Sequence, residues 1–469
     1  MKKAHFMGIC GMGMGALAVL LKNSGWTVSG SDEGFYEPAA GYLKRHGISI
    51  LTPYRAGNIP SGADLVVIGK HAKLSAEENE EVRKALEAPE KIKSFPEVLG
   101  EITAEKENIV VAGSYGKSTC TALLAWCLRE SGIDAGYFVG AVPIGMEENA
   151  RLGSAKYFAL EGDEYPAWNG ESKFLYFHPH DVLLTSGEHD HVNVFPDENS
   201  YLEPYKKLMK LVPNDGLLVA AIENPNVKKI AEECGARVVG YGFKEGANWR
   251  AVNIKYAMET SFELWNGEEK VAELRTVLLG RHNIENIVGV SAMLLEKKII
   301  SKDRLVRAVK SFRGLVRRLD LKTKKSAVPV YESFGSSYAK AKSAFQAIKL
   351  HFPGKRIITI FEPHTFSWRN RNNLGWYGNI FKDSSVTILL KPPEHGKDTH
   401  EQASFEEILG EAKKGSKNVY GSAEKQEVIR LLKENVQKDD VVILMTSGDL
   451  GGLIEEIPAL MEKMFPQAG

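Results

Sequence analysis

Residues 108–130 read N-I-V-V-A-G-S-Y-G-K-S-T-C-T-A-L-L-A-W-C-L-R-E, and this stretch decides how the rest of the chain is understood. Residues 109–112 are a short apolar run of the kind that forms a buried strand. The turn Gly113-Ser114-Tyr115-Gly116 follows, and Lys117, Ser118 and Thr119 then open an apolar helix that stops near Ser131-Gly132. Strand, tight glycine turn and helix N-terminus together make an anion site. The first N–H groups of a helix lack intrahelical partners, and the helix dipole favours negative charge. Gly113 and Gly116 let the backbone approach phosphate oxygens, Lys117 is placed to reach β- and γ-phosphates, and the Ser118 hydroxyl to meet Mg²⁺. The form is the shorter G-x-x-G-K-S, with Val111 where the longer phosphate loop has its first glycine. A chance G-K-S at an ordinary helix start is the alternative, and the strand before it and the apolar helix after it argue against that.

The chain has 469 residues, enough for two to four domains at about 100–200 residues each. Lysine plus arginine and aspartate plus glutamate number 60 each, so the net charge is zero and nothing in it points to a nucleic-acid or membrane partner. Cys10, Cys120, Cys127 and Cys234 show no paired spacing for zinc. Cys120 and Cys127 fall on one face of the phosphate-loop helix, and buried thiols in a reducing, cytoplasmic compartment are expected. No apolar run approaches a membrane span.

The first hundred residues alternate strand (4–9), helix (13–24), strand (27–31), helix (38–46), strand (65–68) and a helix from about Ser75, the pattern of a parallel sheet with helices on its faces. The turn Gly8-Ile9-Cys10-Gly11-Met12-Gly13-Met14-Gly15 resembles a dinucleotide fingerprint, and Asp32 lies where a ribose-binding acid would. Its spacing is G-x-x-G-x-G, which favours a nucleotide or its diphosphate over NAD specifically, or a purely structural turn. After the charged stretch 101–107, strands are expected at 157–160, 181–184 and 217–221, then strands within 249–276 joined at Asn266-Gly267, a hairpin signal. A helix follows Gly280-Arg281-His282-Asn283. A third block from Leu315 has a polar turn at 322–326, strands at 328–331, 356–361, 386–390 and 441–445, and helices at 339–351, 424–436 and 453–464. The reading is three α/β domains: a Rossmann-like N-terminal domain (1–103), a central phosphate-loop ATPase domain (104–314) and a doubly wound C-terminal domain (315–469).

Two carboxylate-rich strand ends follow the phosphate loop, Glu161-Gly162-Asp163-Glu164 and Glu188-His189-Asp190-His191. Ligands of open α/β sheets sit outside the carboxyl ends of the strands, so these ends and the phosphate loop can converge on one Mg-nucleotide. Mg²⁺ prefers oxygen and takes few protein ligands, so one carboxylate, Ser118 and phosphate oxygens make a sensible site. Solvated acidic loops are the bland alternative. The pairs His178/His180 and His189/His191 raise zinc, but no suitably spaced partner accompanies them.

These motifs resemble those of the Mur ligases, ATP-dependent enzymes that form peptide bonds in peptidoglycan synthesis, and the resemblance runs through all three blocks. G-S-Y-G-K-S-T is similar to the family's G-T-H-G-K-T-T, Glu161 to Glu164 to its E-A-D-E, and Glu188 to His191 to its E-x-D-H. His282-Asn283 with Asn286 resembles H-N-x-x-N, and Arg317-Arg318-Leu319-Asp320 resembles R-R-L-E. The G-I-C-G-M-G-M-G turn, Gly30-Ser31-Asp32, Tyr165 with Ser172-Lys173-Phe174, Phe361-Glu362-Pro363 and Ser447-Gly448 with Gly451-Gly452 resemble most the branch that joins UDP-N-acetylmuramate to L-Ala-γ-D-Glu-meso-diaminopimelate. The branch that adds L-alanine is the runner-up.

The resemblance implies an ATP-dependent, ADP-forming ligase of cell-wall recycling. Gly113 to Thr119, Asn283, Asn286, Arg318 and Glu332 would hold ATP, and Ser118, Glu161 and His191 would hold Mg²⁺. Lys117, Glu161, His191 and Arg318 would serve catalysis, while Gly11, Gly13, Asp32, His189, Arg369 and Arg371 would bind UDP-N-acetylmuramate and a peptide or amino-acid amine. Neither nucleic acid nor membrane is expected as a partner, and the protein would be a monomer or weak homodimer. The family's D-D-F-x-H-H-P is altered here to Glu332-Ser333-Phe334-Gly335-Ser336-Ser337-Tyr338. A Mur-like nucleotide-binding protein with altered or lost ligation, and an unrelated phosphate-loop phosphotransferase, therefore stand as alternatives.

Overall fold

The computed structural model describes residues 1–35, 39–70, 73–191, 194–392 and 401–467. Among these residues the strands form three sheets. The first contains β1 (Lys3–Met7), β2 (Thr27–Ser31), β3 (Ile50–Leu51), β4 (Leu65–Ile68) and β5 (Ile92–Ser94), in the order β3-β2-β1-β4-β5 and all parallel. Helices α1 (Met12–Asn23), α2 (Ala39–Arg45), α3 (Glu80–Ala85) and α4 (Phe95–Thr103) belong to this part of the chain. The helix expected at 38–46 is α2, and Pro38 lies outside the described residues. The helix expected from Ser75 starts instead at Glu80. Asn79 caps it, accepting from the Glu81 and Val82 backbone N–H groups at 2.9 and 3.2 Å.

The second sheet contains β6 (Glu107–Ala112), β7 (Gly136–Phe138), β8 (Ala150–Arg151), β9 (Tyr157–Glu161), β10 (Pro179–Leu184), β11 (Leu217–Ala221), β12 (Arg237–Gly242), β13 (Trp249–Lys255), β14 (Thr260–Asn266) and β15 (Glu269–Thr276). Its order is β15-β14-β13-β12-β11-β10-β6-β9-β7-β8. Strand β6 therefore lies inside the sheet, parallel to β10 on one side and β9 on the other. The phosphate-loop helix is α5 (Lys117–Glu130), followed by α6 (Glu198–Lys210). Cys120 and Cys127 on α5 are fully buried, and burial pushes both thiols well above the ordinary range.

The third sheet contains β16 (Arg318–Leu321), β17 (Val330–Ser333), β18 (Ile357–Phe361), β19 (Val386–Leu390), β20 (Val419–Ser422) and β21 (Val441–Met445), ordered β16-β17-β21-β18-β19-β20. Its central strands are apolar on both faces. In β21, Val441, Ile443 and Met445 pack on one side with the helix Tyr338–His351, while Val442 and Leu444 pack on the other with Lys425–Asn435 and Leu453–Met464. Strand β16 was not expected. It runs antiparallel to β17 with an irregular register between Arg318 and Asp320, and Arg317 and Leu319 take φ of 65° and 51°. That bulge hides the period-2 alternation by which a strand is recognised in sequence.

By backbone contact the chain divides into two compact units. One comprises Met1–Ile254, Phe262–Arg275 and Ile284–Phe312, with the first sheet and most of the second. The other comprises Lys255–Ser261, Thr276–Asn283 and the chain from Arg313, with the third sheet. Among the described residues no helix is long and apolar enough to cross a membrane.

Candidate active site

In the first unit, β6 ends at Ala112 and the chain turns through Gly113 (φ 136°) and Gly116 (φ 82°), which stands at the N-cap of α5. Both conformations suit glycine, and both turns are tightly backed. A Cβ on Gly113 would lie 2.4 Å from Thr185 Oγ1, and one on Gly116 2.6 Å from Asn286 Oδ1. Asn286, expected to hold ATP, thus lies against the loop glycine and is buried. Ser186 Oγ accepts from the Tyr115 N–H at 2.7 Å, Thr185 Oγ1 donates to the Tyr115 carbonyl, and Ser114 Oγ donates to the Glu188 carbonyl at 2.5 Å. The end of β10 therefore holds the loop, while the Tyr115 side chain stays exposed. Thr119 is buried in the first turn of α5.

Lys117 and Ser118 each meet one carboxylate of the stretch after β9. Lys117 Nζ donates to Glu164 Oε2 at 2.9 Å and to the Gly113 carbonyl at 2.6 Å. Glu164 is fully buried, and the Lys117 side chain is 15 % exposed. Ser118 Oγ donates to Glu161 Oε1 at 2.8 Å, and the Gly140 N–H donates to Glu161 Oε2 at 2.6 Å. Burial works to raise the Asp163 carboxyl, but Lys173, at 2.6 Å, and Lys117 outweigh it and hold it below the usual carboxylate range. His191 comes to the same group, its Nε2 3.6 Å from Glu164 Oε1, with its own backbone at φ 54°. A non-glycine residue held there costs about 1–3 kcal/mol and is characteristic of functional positions. His189 sits beside it, but its Nε2 donates to the Phe195 carbonyl at 2.7 Å.

Glu161 and Asp163 border a cavity of about 290 Å³ within the first unit, shared with the N-terminal glycine turn. Gly11, Gly13 and Met14 line one part, Lys70, Phe95 and Phe138 another, and Gly140, Glu161, Asp163, Trp168 and Lys173 a third. Lys70 and Lys173 Nζ stand 5.5 and 5.6 Å from the centroid of the Tyr165 ring. Asp32, read as a ribose acid, is engaged within its own turn. Its Oδ2 accepts from the Cys10 N–H at 2.8 Å and its Oδ1 from the Glu33 N–H at 2.8 Å, so it braces the glycine turn itself. Among the described residues no group of three or more His, Cys, Asp or Glu side chains could hold a metal ion by itself.

In the second unit the candidates are arranged differently. Glu332, expected at the nucleotide, is 2 % exposed and turned onto its neighbours: Arg317 Nε lies 2.9 Å from Oε1 and Lys322 Nζ 3.2 Å from Oε2. Antiparallel pairing of β16 with β17 brings these cations onto the carboxylate. Arg318 is exposed at the start of β16, with Ser333 as its register partner. Ser337 caps the helix Tyr338–His351, accepting from the Lys340 N–H, and Ser336 Oγ accepts from Lys340 Nζ at 3.2 Å. Arg369 is buried and bonds Gln402 Oε1 at 3.1 Å. Arg371 is exposed, with its guanidinium on Glu401 and Glu407. Asn283 Nδ2 donates to the Leu279 carbonyl at 2.8 Å.

Comparison with known proteins accounts for all three sheets. The profile of the Mur ligase family catalytic domain matches residues 3–107, that of the Mur ligase middle domain 111–294, and that of the Mur ligase glutamate ligase domain 317–448. A UDP-N-acetylmuramate–L-alanine ligase of Clostridium kluyveri is 31 % identical, over 96 % of this chain and 96 % of its own length. The chain belongs to the Mur ligase family. As a Mur ligase it is an ATP-dependent, amide-bond-forming enzyme of peptidoglycan metabolism. It is also similar, at 26 % identity over 97 % of this chain and 98 % of the relative, to the UDP-N-acetylmuramate–L-alanyl-γ-D-glutamyl-meso-2,6-diaminoheptandioate ligase of Haemophilus influenzae. The crystal structure of a UDP-N-acetylmuramate–alanine ligase from Thermotoga maritima superposes with a TM-score of 0.77 at 21 % identity, covering 99 % of this chain and 100 % of that one, which shows the common fold.

The sequence reading missed Glu164 as the partner of Lys117, although Glu164 stands in the quoted E-G-D-E. It also missed Tyr201 and Lys70, which no local pattern marks.

Proposed function

We propose that this Mur ligase joins the carboxylate of UDP-N-acetylmuramate to the amine of L-Ala-γ-D-Glu-meso-diaminopimelate, in a cytoplasmic recycling reaction. The observation that carries the reading is the single cavity shared by the N-terminal glycine turn and the Glu161 to Lys173 stretch, with the phosphate loop adjoining it. The proposed division is sugar nucleotide on residues 1–103, ATP on 104–314 and amine on 315–469. Gly11, Gly13 and the α1 N-terminus suit a diphosphate, and Lys70 and Lys173 suit the other anions of a sugar nucleotide. Gly113 to Thr119 suit the ATP phosphates.

Ser118 and Glu161 offer adjacent hydroxyl and carboxylate oxygens, a donor set that fits Mg²⁺ completed by phosphate oxygens. His191 stands within reach of the same stretch. When bound, the ion would neutralise developing phosphate charge. The muramyl carboxylate then attacks the γ-phosphorus, forming an acyl-phosphate and releasing ADP. The amine attacks the acyl carbon, the tetrahedral intermediate loses inorganic phosphate, and one amine proton goes to solvent or a nearby base. Lys117 would screen the two anions that must meet in the first step. For the second unit we propose the amine pocket, with exposed Arg318 as an anion-binding cation.

Phosphate release from MgATP with UDP-N-acetylmuramate and a panel of amines tests this reading. Release that needs the sugar nucleotide and the tripeptide supports it. Release with L-alanine alone moves the enzyme to the runner-up branch, and no stimulated release with retained ATP binding leaves a Mur-like binding protein.

A further inference from the structure

Glu164 is a fully buried carboxylate, and its bonds reach beyond Lys117. Its Oε1 accepts from Tyr201 OH at 3.1 Å, and Tyr201 OH lies 3.0 Å from both Tyr205 OH and Ser114 Oγ. Both tyrosines are fully buried on α6, one helical turn apart. Neither entered the sequence reading, and neither has a place in the chemistry above. The Ser114 proton is committed to the Glu188 carbonyl. The Tyr201 proton therefore has three acceptors in reach, the carboxylate of Glu164, the hydroxyl oxygen of Ser114 in the phosphate loop and that of Tyr205.

We propose that Tyr201, backed by Tyr205, is a positioning residue for MgATP that keeps Glu164 satisfied when Lys117 leaves it for the phosphates. The proposal rests on the reading of the phosphate loop as the ATP site. A buried carboxylate stripped of its cation is costly unless other donors remain on it. With Lys117 on Glu164, as here, the Tyr201 proton can serve any of these acceptors. With Lys117 on a phosphate, the proton belongs to Glu164, and Tyr205 supplies the next hydrogen bond in line. Without the phenol, Lys117 would be held on Glu164 and withheld from the nucleotide. The tyrosine pair thus sets how readily the lysine moves, and its contact with Ser114 ties that movement to the loop.

Tyr201→Phe removes the hydroxyl and keeps the ring, which packs against Phe195, His189 and Tyr205 at centroid distances of 5.4, 5.6 and 5.4 Å. In steady-state ligation by the full-length enzyme, the expected result is a rise of about tenfold in KM for MgATP, the scale of one hydrogen bond to a charged group. KM for the sugar nucleotide should stay within about twofold and the melting temperature close to that of the parent. Tyr205→Phe should move KM for MgATP in the same direction by less, and it carries the test if Tyr201→Phe does not fold. Added to Glu164→Gln, Tyr201→Phe should cost nothing further, because it acts through that carboxylate. Unchanged KM for MgATP, an equal loss in every parameter together with melting temperature, or full additivity with Glu164→Gln each overturns the proposal. Lys117→Met separates it from the reading beneath it. If that variant binds MgATP like the parent, the ATP-site reading itself falls. If Lys117→Met loses ATP while Tyr201→Phe is silent, only the tyrosine proposal falls.

Discussion

Two strand ends in this molecule carry a glutamate beside basic residues, and they use them in opposite ways. At the end of β9, in the first unit, Lys117 and Ser118 rest on Glu164 and Glu161, and Glu161 lines a cavity; on the proposed reading these contacts give way to an incoming phosphate or cation. After β17, in the second unit, Arg317 and Lys322 close on the buried Glu332 while remaining 29 % and 25 % exposed themselves. Arg317 also donates to the Thr446 and Gly448 carbonyls at 2.9 and 2.5 Å. Burial raises the Asp320 carboxyl in that cluster, and the Lys322 ammonium, opposed by burial, is held high by Asp320 and Glu332. Acidic and basic letters at a strand end do not tell whether they face a ligand or each other. What the neighbouring strands and turns bring to the carboxylate decides.

The sharpest way to break this contrast is at Lys117. Lys117→Ala should reduce ligation by about 100- to 1,000-fold or more while the protein stays folded, since it removes a cation from the phosphate site. Turnover like the parent's would end the assignment of the first cluster to a ligand. Glu332→Ala should act on stability instead, leaving two cations without their shared partner at a cost of about 3 kcal/mol. Hydrogen exchange across β16 and β17 would show it. If this variant exchanges like the parent and only KM for MgATP rises, Glu332 is a ligand after all and the contrast fails.

Gly116→Ala should cost about 2 kcal/mol, because alanine is strained at φ 82° and its Cβ would meet Asn286. Calorimetry with and without MgATP should then show weakened nucleotide binding as well. A pH effect separates the units further. His351 Nε2 accepts from the Gly280 N–H at 2.7 Å, and its Nδ1–H donates to the Ala257 carbonyl at 2.8 Å, so it moors two chain segments of the second unit. Burial holds His351 below the usual histidine range, and burial with the nearby His351 does the same to His282. Both are neutral when folded, and the unfolded chain binds the protons more readily. The stability they contribute is present above about pH 6.5 and is lost as the pH falls from there toward their folded values. Melting curves between pH 7.5 and 5 should show this loss, and His351→Gln should flatten it. The smallest effect is expected at Ser337. Ser337→Ala removes a helix cap worth about 0.5–1 kcal/mol and should leave the KM for the amine alone. A raised KM there would make Ser337 a substrate contact in place of the family's histidine.

Much of the first site is legible in sequence because its parts are contiguous. Ala112 to Thr119 hold a strand end, a turn and a helix start in immediate succession, and the anion-binding groups are largely backbone N–H groups. The alternation of strands and helices is legible for the same reason, and β2, β4, β11, β19 and β21 fall on the expected residues. Where a local device intervened, the reading slipped, as with the Asn79 cap that delays α3 and the bulge that disguises β16.

By itself, then, the sequence determined the three α/β blocks, the phosphate loop and the family, since hydrophobic period and short motifs are local properties. Only the tertiary structure decided that Glu164, 47 residues away, takes Lys117, that Tyr201 on a later helix donates to the same carboxylate, and that Glu332 turns onto Arg317 and Lys322. It also gave Asp32 to its own glycine turn. These choices depend on which strands lie side by side, and the sheet orders are not the order of the chain. A buried carboxylate takes whatever donor that neighbourhood supplies, because leaving it without one costs more than any local preference can repay.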